Sequence, residues 1–325
     1  TFLCWCLLFF FALLHSSATM PATEYDELDN LIQHSKAITA KKVARINDIR
    51  QRLSTPHLTD RQRYEICMQL YNEYEAFRFD SALVYANRTI LYAKRMRNEK
   101  YLAEAQLKKV HVHTLAAFFV KSRDLLDSIK VSTLDARLTQ VFHDEWYLLM
   151  SLLAEYTAGT QLHASYEGRV EYYRRLILAS PYKDTYAYVR AEMTELSERG
   201  HTEKAIGILE NYLKRWRRTN HEYAMVCFDL AELYGKLGNS TKRLYYLVQS
   251  AISDVYSSSK ENNSLRLLAD ELFDQGDVER AYNYMNVSIE DANFYGTRLR
   301  NIQNAHILPR IFSAYIVQQH TQRMH

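Results

Sequence analysis

One short stretch returns twice at a fixed spacing, and that spacing limits what the chain can fold into. Gly200 begins the first copy, Gly238 the second and Gly276 the third, so each follows the last by 38 residues. Every copy is a glycine, three mostly polar residues and a basic residue, and it lies between two segments whose apolar residues have helical spacing. Self-similarity at a period of this size is typical of solenoids built from helical hairpins.

The composition favours helices over strands and loops. Only eight of the 325 residues are glycine and four are proline, which disfavours loop-rich and β-rich folds. The hydrophobic fraction of 47% is enough for a large core. The net charge of +3 is too balanced to favour nucleic acid as a partner, so we expect no nucleic-acid contact by this region.

Six hairpins can be aligned on the residue that opens the second helix of each. The spacings between successive hairpins are 40, 43, 40, 38 and 38 residues. The sequence therefore predicts an all-α fold, an α-solenoid of about six helical hairpins with an extra N-terminal helix. The predicted division is an N-terminal helix within 19–58, repeats over 59–296 and a C-terminal helix within 297–325. The aligned residues are Ala82, Ser122, Ser165, Ala205, Arg243 and Ala281.

The first eighteen residues have the pattern of a secretory signal. Residues 2–14 are almost continuously apolar, and a small-residue pattern follows that would allow cleavage after Ala18. Thirteen apolar residues are short for a membrane-spanning helix. We therefore expect residues 1–18 to be a signal and the mature chain to be exported. The alternative is a buried N-terminal helix, and without a signal the chain would be cytoplasmic.

Without that segment the chain keeps two cysteines, Cys67 and Cys227, far apart in helical patterns. A disulfide-dependent exported domain usually has more cysteines. We therefore expect both to be buried free thiols.

The last three hairpins resemble tetratricopeptide repeats. In that family the first helix carries a large residue, then Leu-Gly or Leu-Ala, then Tyr, and a glycine turn precedes a basic residue and Ala. The three repeats match at Cys227, Leu230-Ala231, Tyr234, Gly238 and Lys242; at Val189, Met193, Leu196, Gly200 and Lys204-Ala205; and at Leu265, Leu268-Ala269, Leu272, Gly276 and Arg280-Ala281. The family's Trp position holds a smaller residue here, and the period is 38 rather than about 34 residues.

A larger part of the chain is similar to one subgroup, the exported sensor half of bacterial tetratricopeptide-type membrane regulators. The motifs are Leu28-Asp29, Arg45-Ile46, Tyr71-Asn72-Glu73-Tyr74 and Phe79-Asp80-Ser81-Ala82. The resemblance implies repeats on the periplasmic side of the inner membrane, then a transmembrane helix and a cytoplasmic output segment. It implies membrane association through a C-terminal segment that is missing here. We expect Pro309 to interrupt the C-terminal helix.

No motif points to catalysis or to a cofactor. The sequence has no Gly-x-Ser-x-Gly elbow, phosphate-binding glycine loop or His-Glu-x-x-His. His111 and His113 are two residues apart, so on a helix they point to different faces. We therefore expect no catalytic residues, no cofactor and no metal.

The 38-residue period aligns six residues on one face of the first helices. Tetratricopeptide proteins usually bind partners on the concave surface that these helices form. The aligned residues are Arg190, Phe228 and Arg266, with Thr194, Glu232 and Asp270 one turn later. Two arginines beside a phenylalanine could hold an acidic or C-terminal peptide group. The alternative is an ordinary wet surface with an Arg190–Thr194 contact and an Arg266–Asp270 ion pair.

Together these patterns predict a non-enzymatic, exported helical-repeat module that senses a protein, a peptide or another ligand. It would be part of a membrane-linked transcriptional or signalling regulator, with a protein or peptide as its partner. One alternative is a cytoplasmic tetratricopeptide regulator that binds a peptide. Another is a helical-repeat enzyme acting on a periplasmic polymer, for which Glu232 and Asp270 are the acidic candidates.

Overall fold

A computed structural model describes residues 22–296 and 298–324, and within these ranges the chain is helical, with no strand. The predicted signal at residues 1–18 lies outside the described residues. The helices are α1 Ala22–Gln33, α2 Ser35–Gln51, α3 Asp60–Tyr74, α4 Phe79–Arg95, α5 Glu99–Leu115, α6 Phe119–Ser128, α7 Ala136–Tyr156, α8 His163–Leu178, α9 Tyr186–Glu198, α10 Thr202–Leu213, α11 His221–Lys236, α12 Ser240–Ser257, α13 Ser264–Asp274, α14 Val278–Tyr295 and α15 Arg298–Arg323.

Helices α3 to α14 form six successive hairpins. Each odd-numbered helix packs against the next even-numbered one, and most hairpins also pack against the following hairpin. Apolar clusters lie between the helices along the whole series. The all-α solenoid predicted from the glycine spacing is confirmed.

The three periodic glycines end the first helices of the last three hairpins. Gly200, Gly238 and Gly276 have φ angles of 80°, 69° and 87°, a region that favours glycine because it has no Cβ. At the middle turn the amide of Asn239 donates to the carbonyl of Tyr234 at 2.9 Å, and the other two turns have the equivalent bond. This pattern is the Schellman motif, which satisfies the last carbonyls of a helix.

The N-terminal region differs from the single predicted helix because two helices meet at His34. The ring nitrogen Nδ1 of His34 lies 2.8 Å from the carbonyl oxygen of Asn30, at the end of α1. Leu28 of α1 is fully buried in the apolar cluster of α12 to α14. Ile46 of α2 is buried instead against α3 and α4. The apolar residues of this stretch therefore serve two separate surfaces.

The C-terminal helix α15 runs through Pro309, where the sequence predicts an interruption. Pro309 lies on the exposed side of the helix, while Ile307 and Ile311 are buried against the last hairpins. A proline in a helix loses one backbone hydrogen bond. The buried contacts of the two isoleucines on the opposite side stabilise the helix there despite that loss. Among the described residues, no helix is both long enough and apolar enough to cross a membrane.

Both described cysteines are buried free thiols, as predicted. Burial raises the pKa of the Cys67 thiol to about 11, so it is protonated at neutral pH. The two thiols are therefore packing residues.

The first and last hairpins of the solenoid touch each other. The backbone amides of Lys260 and Glu261, in the loop between α12 and α13, donate to the carbonyl oxygen of Ala76 at 2.7 and 3.1 Å. The hydroxyl of Tyr295, at the end of α14, donates to the carbonyl oxygen of Glu75 at 3.0 Å. We call these three hydrogen bonds the closure contact. Through it the superhelix closes around an interior space.

Candidate functional site

The interior of the superhelix holds a cavity of about 460 Å³, here called the central cavity. Its wall is formed by the end of α3, by α5, α7 and α9, by the start of α11 and by the loop between α12 and α13. The acidic and basic residues of the wall are Glu75, Glu104, Lys108, His111, Arg137, Asp144, Glu145, Arg190, His221, Glu222 and Glu261. A volume of this size is within the range of ligand-binding cavities.

Glu75 is the centre of one group of charges in this wall. Its carboxylate accepts hydrogen bonds from the Tyr71 hydroxyl at 2.9 Å and from Lys108 Nζ at 3.3 Å. Burial alone would raise the pKa of Glu75, but the positive charges of Lys108 and His111 outweigh it and lower the pKa to about 2. Glu75 is therefore charged at any physiological pH.

His111 connects this group to α7. Its Nδ1 lies 3.0 Å from Glu145 Oε1, and its Nε2 lies 3.9 Å from Glu75 Oε1. Burial alone would lower the pKa of His111, but the two carboxylates outweigh it and raise the pKa to about 9. The protonated imidazole therefore bridges α3 and α7. His113 is buried beside Phe118 instead, so the two histidines have different surroundings.

Arg190 of α9 forms a second charged group in the wall. Its Nη2 is 2.6 Å from Asp144 Oδ1, and its guanidinium lies 4.9 Å from the ring centre of Tyr147 and 5.6 Å from that of Tyr186. Its Nε is buried without a hydrogen-bond partner among the described residues. Two aromatic rings and one carboxylate thus hold a guanidinium at the cavity wall.

A second space of about 700 Å³, the adjoining cavity, continues from the central one under α2. The two share the wall residues Glu75, Ala76, Lys108, His221 and Glu222. Helix α2 contributes three basic residues to the adjoining cavity, which are Lys41, Lys42 and Arg45. The walls of both cavities therefore carry charges of both signs.

Of the six residues aligned by the 38-residue period, Arg190 lies in the wall of the central cavity. Thr194 donates its hydroxyl to the carbonyl of Arg190 at 2.8 Å, which is the contact expected for an ordinary surface. Phe228 is half-buried against the apolar cluster of α12 to α14. These three residues are therefore not equivalent in their surroundings.

The other three aligned residues each have a polar partner. Glu232 lies 3.6 Å from an Arg243 nitrogen, and Arg266 donates to Asn263 at 2.8 Å. The structure pairs Asp270 with Arg310 of α15, at 3.6 Å, where the sequence suggests Arg266 as its partner. The packing of α15 on α13 brings Arg310 to that position. The partner-binding groove that these six residues would form stays a prediction.

The wall residues Lys108, His111 and Glu145 were not among the predicted site residues. The glycine period that aligned the six does not reach α5, because the turn after that helix has Ala117 in the left-handed conformation, with φ 64°. A signal was still present, since α5 and α7 carry charged residues among their apolar ones. The charged residues of α5 and α7 can be recognised as the wall of a cavity only when the closed shape of the superhelix is known.

The paired helices with their glycine turns define the class of the protein, an α-solenoid of tetratricopeptide type. Repeats of this type are generally non-enzymatic and generally mediate protein–protein interactions. The family model described as the SusR N-terminal TPR domain matches residues 32–306, so the chain belongs to that family. The match begins at the end of α1 and extends into α15. No curated protein matches the chain.

Proposed function

We propose that this chain is the sensing module of a membrane-linked regulator and that it binds a polar ligand or a peptide end in the central cavity. The observation that carries the proposal is the cavity itself, a space inside the closed superhelix with the charged side chains of Arg190 and Lys108 in its wall. Arginine and lysine are suited to a carboxylate, and the carboxylates nearby are suited to hydrogen-bond donors.

Glu75 offers a route from the cavity to the shape of the whole module. Its side chain lies in the cavity wall, while its backbone carbonyl accepts the Tyr295 hydrogen bond of the closure contact. A ligand that binds Lys108 or His111 competes with Glu75 for these positive charges and so weakens the ion pairs of the Glu75 carboxylate. Binding would then shift the equilibrium between a closed and a more open superhelix, by the difference in the ligand's affinity for the two.

The test begins with a thermal-shift screen of short peptides with free carboxyl ends and of small organic acids. A ligand of the central cavity should lose its shift in Arg190→Met and keep it in Arg175→Met, because Arg175 is an exposed residue of α8. Arg190→Lys keeps the charge and serves as a second variant, with circular dichroism as the folding check. Compounds that stabilise all these variants equally would place binding elsewhere.

The effect on shape is measured separately, by hydrogen exchange of the Lys260 and Glu261 amides. These amides make the closure contact, so a ligand that changes the shape should change their protection. The amide of Asp277, within the turn between α13 and α14, is the control. If a cavity ligand leaves the two closure amides unchanged, the proposed route through Glu75 is wrong.

We also infer that the module is exported and that its regulator is anchored in the inner membrane. The support is the apolar stretch at residues 2–14 and the resemblance to exported sensor halves. Cell fractionation of the protein expressed with and without residues 1–18 tests export. Recovery of both forms in the cytoplasm would favour the alternative of a cytoplasmic regulator.

A further inference from the structure

A third space, here called the lateral cavity, lies between α2 and the last two hairpins. It has a volume of about 630 Å³, and it shares one wall residue, Ser259, with the adjoining cavity and none with the central cavity. Much of its wall is apolar, with Val43 of α2 on one side and Val255, Leu265, Val287 and Phe294 on the other. A largely apolar wall with a few polar groups is the usual composition of a small-molecule site.

Helix α2 forms part of the wall of both the lateral and the adjoining cavity, with different residues. Lys36, Thr39, Ala40 and Val43 line the lateral cavity. Ile38, Lys41, Lys42 and Arg45 line the adjoining cavity. The two cavities thus use different residues of α2, and nothing in the proposed function requires the lateral one.

The polar part of the lateral cavity is more acidic than basic. Its wall has three carboxylates, from Asp254, Glu290 and Asp291, against two lysines, Lys36 and Lys260. The ammonium of Lys260 is already engaged, since its Nζ lies 2.6 Å from Asp291 Oδ1. The net charge of the wall therefore favours a positively charged group.

Asp254 is the carboxylate best placed to receive such a group. It is buried, with 4% of its surface exposed, and its Oδ1 lies 3.2 Å from Nδ1 of His221. The side-chain oxygen Oδ1 of Asn262, in the same wall, is also buried, and it has no hydrogen-bond partner among the described residues. A buried acceptor oxygen without a donor is costly, and a ligand with an N–H group removes that cost.

We propose that the lateral cavity binds a small molecule with an apolar body and a cationic amine at one end. The body lies between Val43 of α2 and Val287 and Phe294 of α14. The amine lies at the acidic side of the cavity, where it pairs with the Asp254 carboxylate and donates to Asn262 Oδ1. Burial raises the pKa of Asp254 to about 6, and a bound amine would lower that pKa again.

Two fluorescent probes with the same body and opposite ends test the site. Dansylcadaverine ends in a primary amine, and dansyl-6-aminohexanoic acid ends in a carboxylate. We expect saturable binding of the amine probe and affinity for the acid that is about tenfold lower, because only the amine forms a charge-assisted hydrogen bond with Asp254. Equal affinity for the two probes would overturn the assignment of a cationic end.

Tryptophan substitutions on α2 test the location. Ala40→Trp and Val43→Trp change exposed residues in the cavity wall, so they should fill the space without disturbing the core. Ala37→Trp is the matched control, an exposed alanine of the same helix that lines neither cavity of α2. We expect at least about tenfold weaker binding in the first two variants and unchanged binding in the control. Unchanged binding in all three would overturn the site.

Asp254→Asn separates the two parts of the proposal. The amide keeps a hydrogen-bond acceptor for His221 but removes the negative charge, so the preference for the amine probe should be lost. If the preference persists, another carboxylate holds the amine and the assignment to Asp254 is wrong. Arg190→Met, in the central cavity, should not affect either probe, which keeps this test independent of the proposed function.

Discussion

Gly200 and Gly207 lie in the same hairpin but have opposite backbone requirements. Gly200 has a φ of 80°, whereas Gly207 is inside helix α10, and an added Cβ meets no atom within 4 Å at either position. Gly200→Ala should therefore lower the free energy of unfolding by about 1 kcal/mol, because alanine is strained at positive φ. Gly207→Ala should raise it by about 0.8 kcal/mol, because alanine favours a helix.

Urea unfolding followed by circular dichroism measures both changes. The two variants control for each other, since both add one methyl group to an open position. Stabilisation by Gly200→Ala would show that the turn does not need its left-handed conformation.

At the scale of single residues, the sequence predicts turn residues better than site residues. The three glycines could be assigned because a positive φ is a local requirement of the backbone. Arg190 was also predicted and lies in the cavity wall. The sequence suggests Arg266 as the partner of Asp270. In the structure Asp270 pairs with Arg310, which belongs to a helix beyond the repeats. Side-chain partners depend on packing that no local pattern contains.

Helix α1 is an element whose role depends on distant helices. Leu28 is fully buried against α12 to α14, and Asp29 accepts hydrogen bonds from Arg280 at 3.1 Å and Tyr284 at 2.8 Å. We expect Leu28→Ala to cost about 3 kcal/mol, from lost burial and the cavity left behind. The exposed Asn30→Ala should cost less than about 0.5 kcal/mol.

Hydrogen exchange locates this effect on α1. In Leu28→Ala the amides of α12 and α14 that face α1 should lose protection, while those of α5 and α7 should not. Loss of protection only within α1 would mean that α1 is not required for the stability of the last hairpins.

At the scale of helices, the apolar period gave the number and pairing of the hairpins. It did not show the break at His34, because apolar residues of α1 and α2 continue one helical spacing while packing on different surfaces. It also did not show that α15 continues through Pro309. The proline rule is local, whereas the contacts of Ile307 and Ile311 with the last hairpins are not.

The repeat period of the sequence does not predict that the first and last hairpins of the molecule touch. Tyr295 and Glu75 are 220 residues apart and belong to hairpins that are not neighbours in the chain. Periodicity fixes how each hairpin packs on the next, and closure results from the curvature summed over all of them. The central cavity exists because of that sum, so its wall could not be read from any one repeat.

The Tyr295 hydroxyl gives the most direct test of this closure. Tyr295→Phe removes one hydrogen bond, worth about 1 kcal/mol, and keeps the buried ring in place. If that bond stabilises the closed shape, the Lys260 and Glu261 amides should exchange about fivefold faster, since both donate across the same contact.

Tyr182→Phe is the control, because Tyr182 is exposed and far along the chain from the closure contact. A change at the two closure amides, with Asp277 unchanged, would mean that the ends separate while the hairpins stay folded. Faster exchange throughout the chain would instead mean that Tyr295 stabilises the whole fold. Unchanged exchange at Lys260 and Glu261 would mean that the Tyr295 hydrogen bond does not stabilise the closure contact. Closure would then depend on the two backbone hydrogen bonds to Ala76.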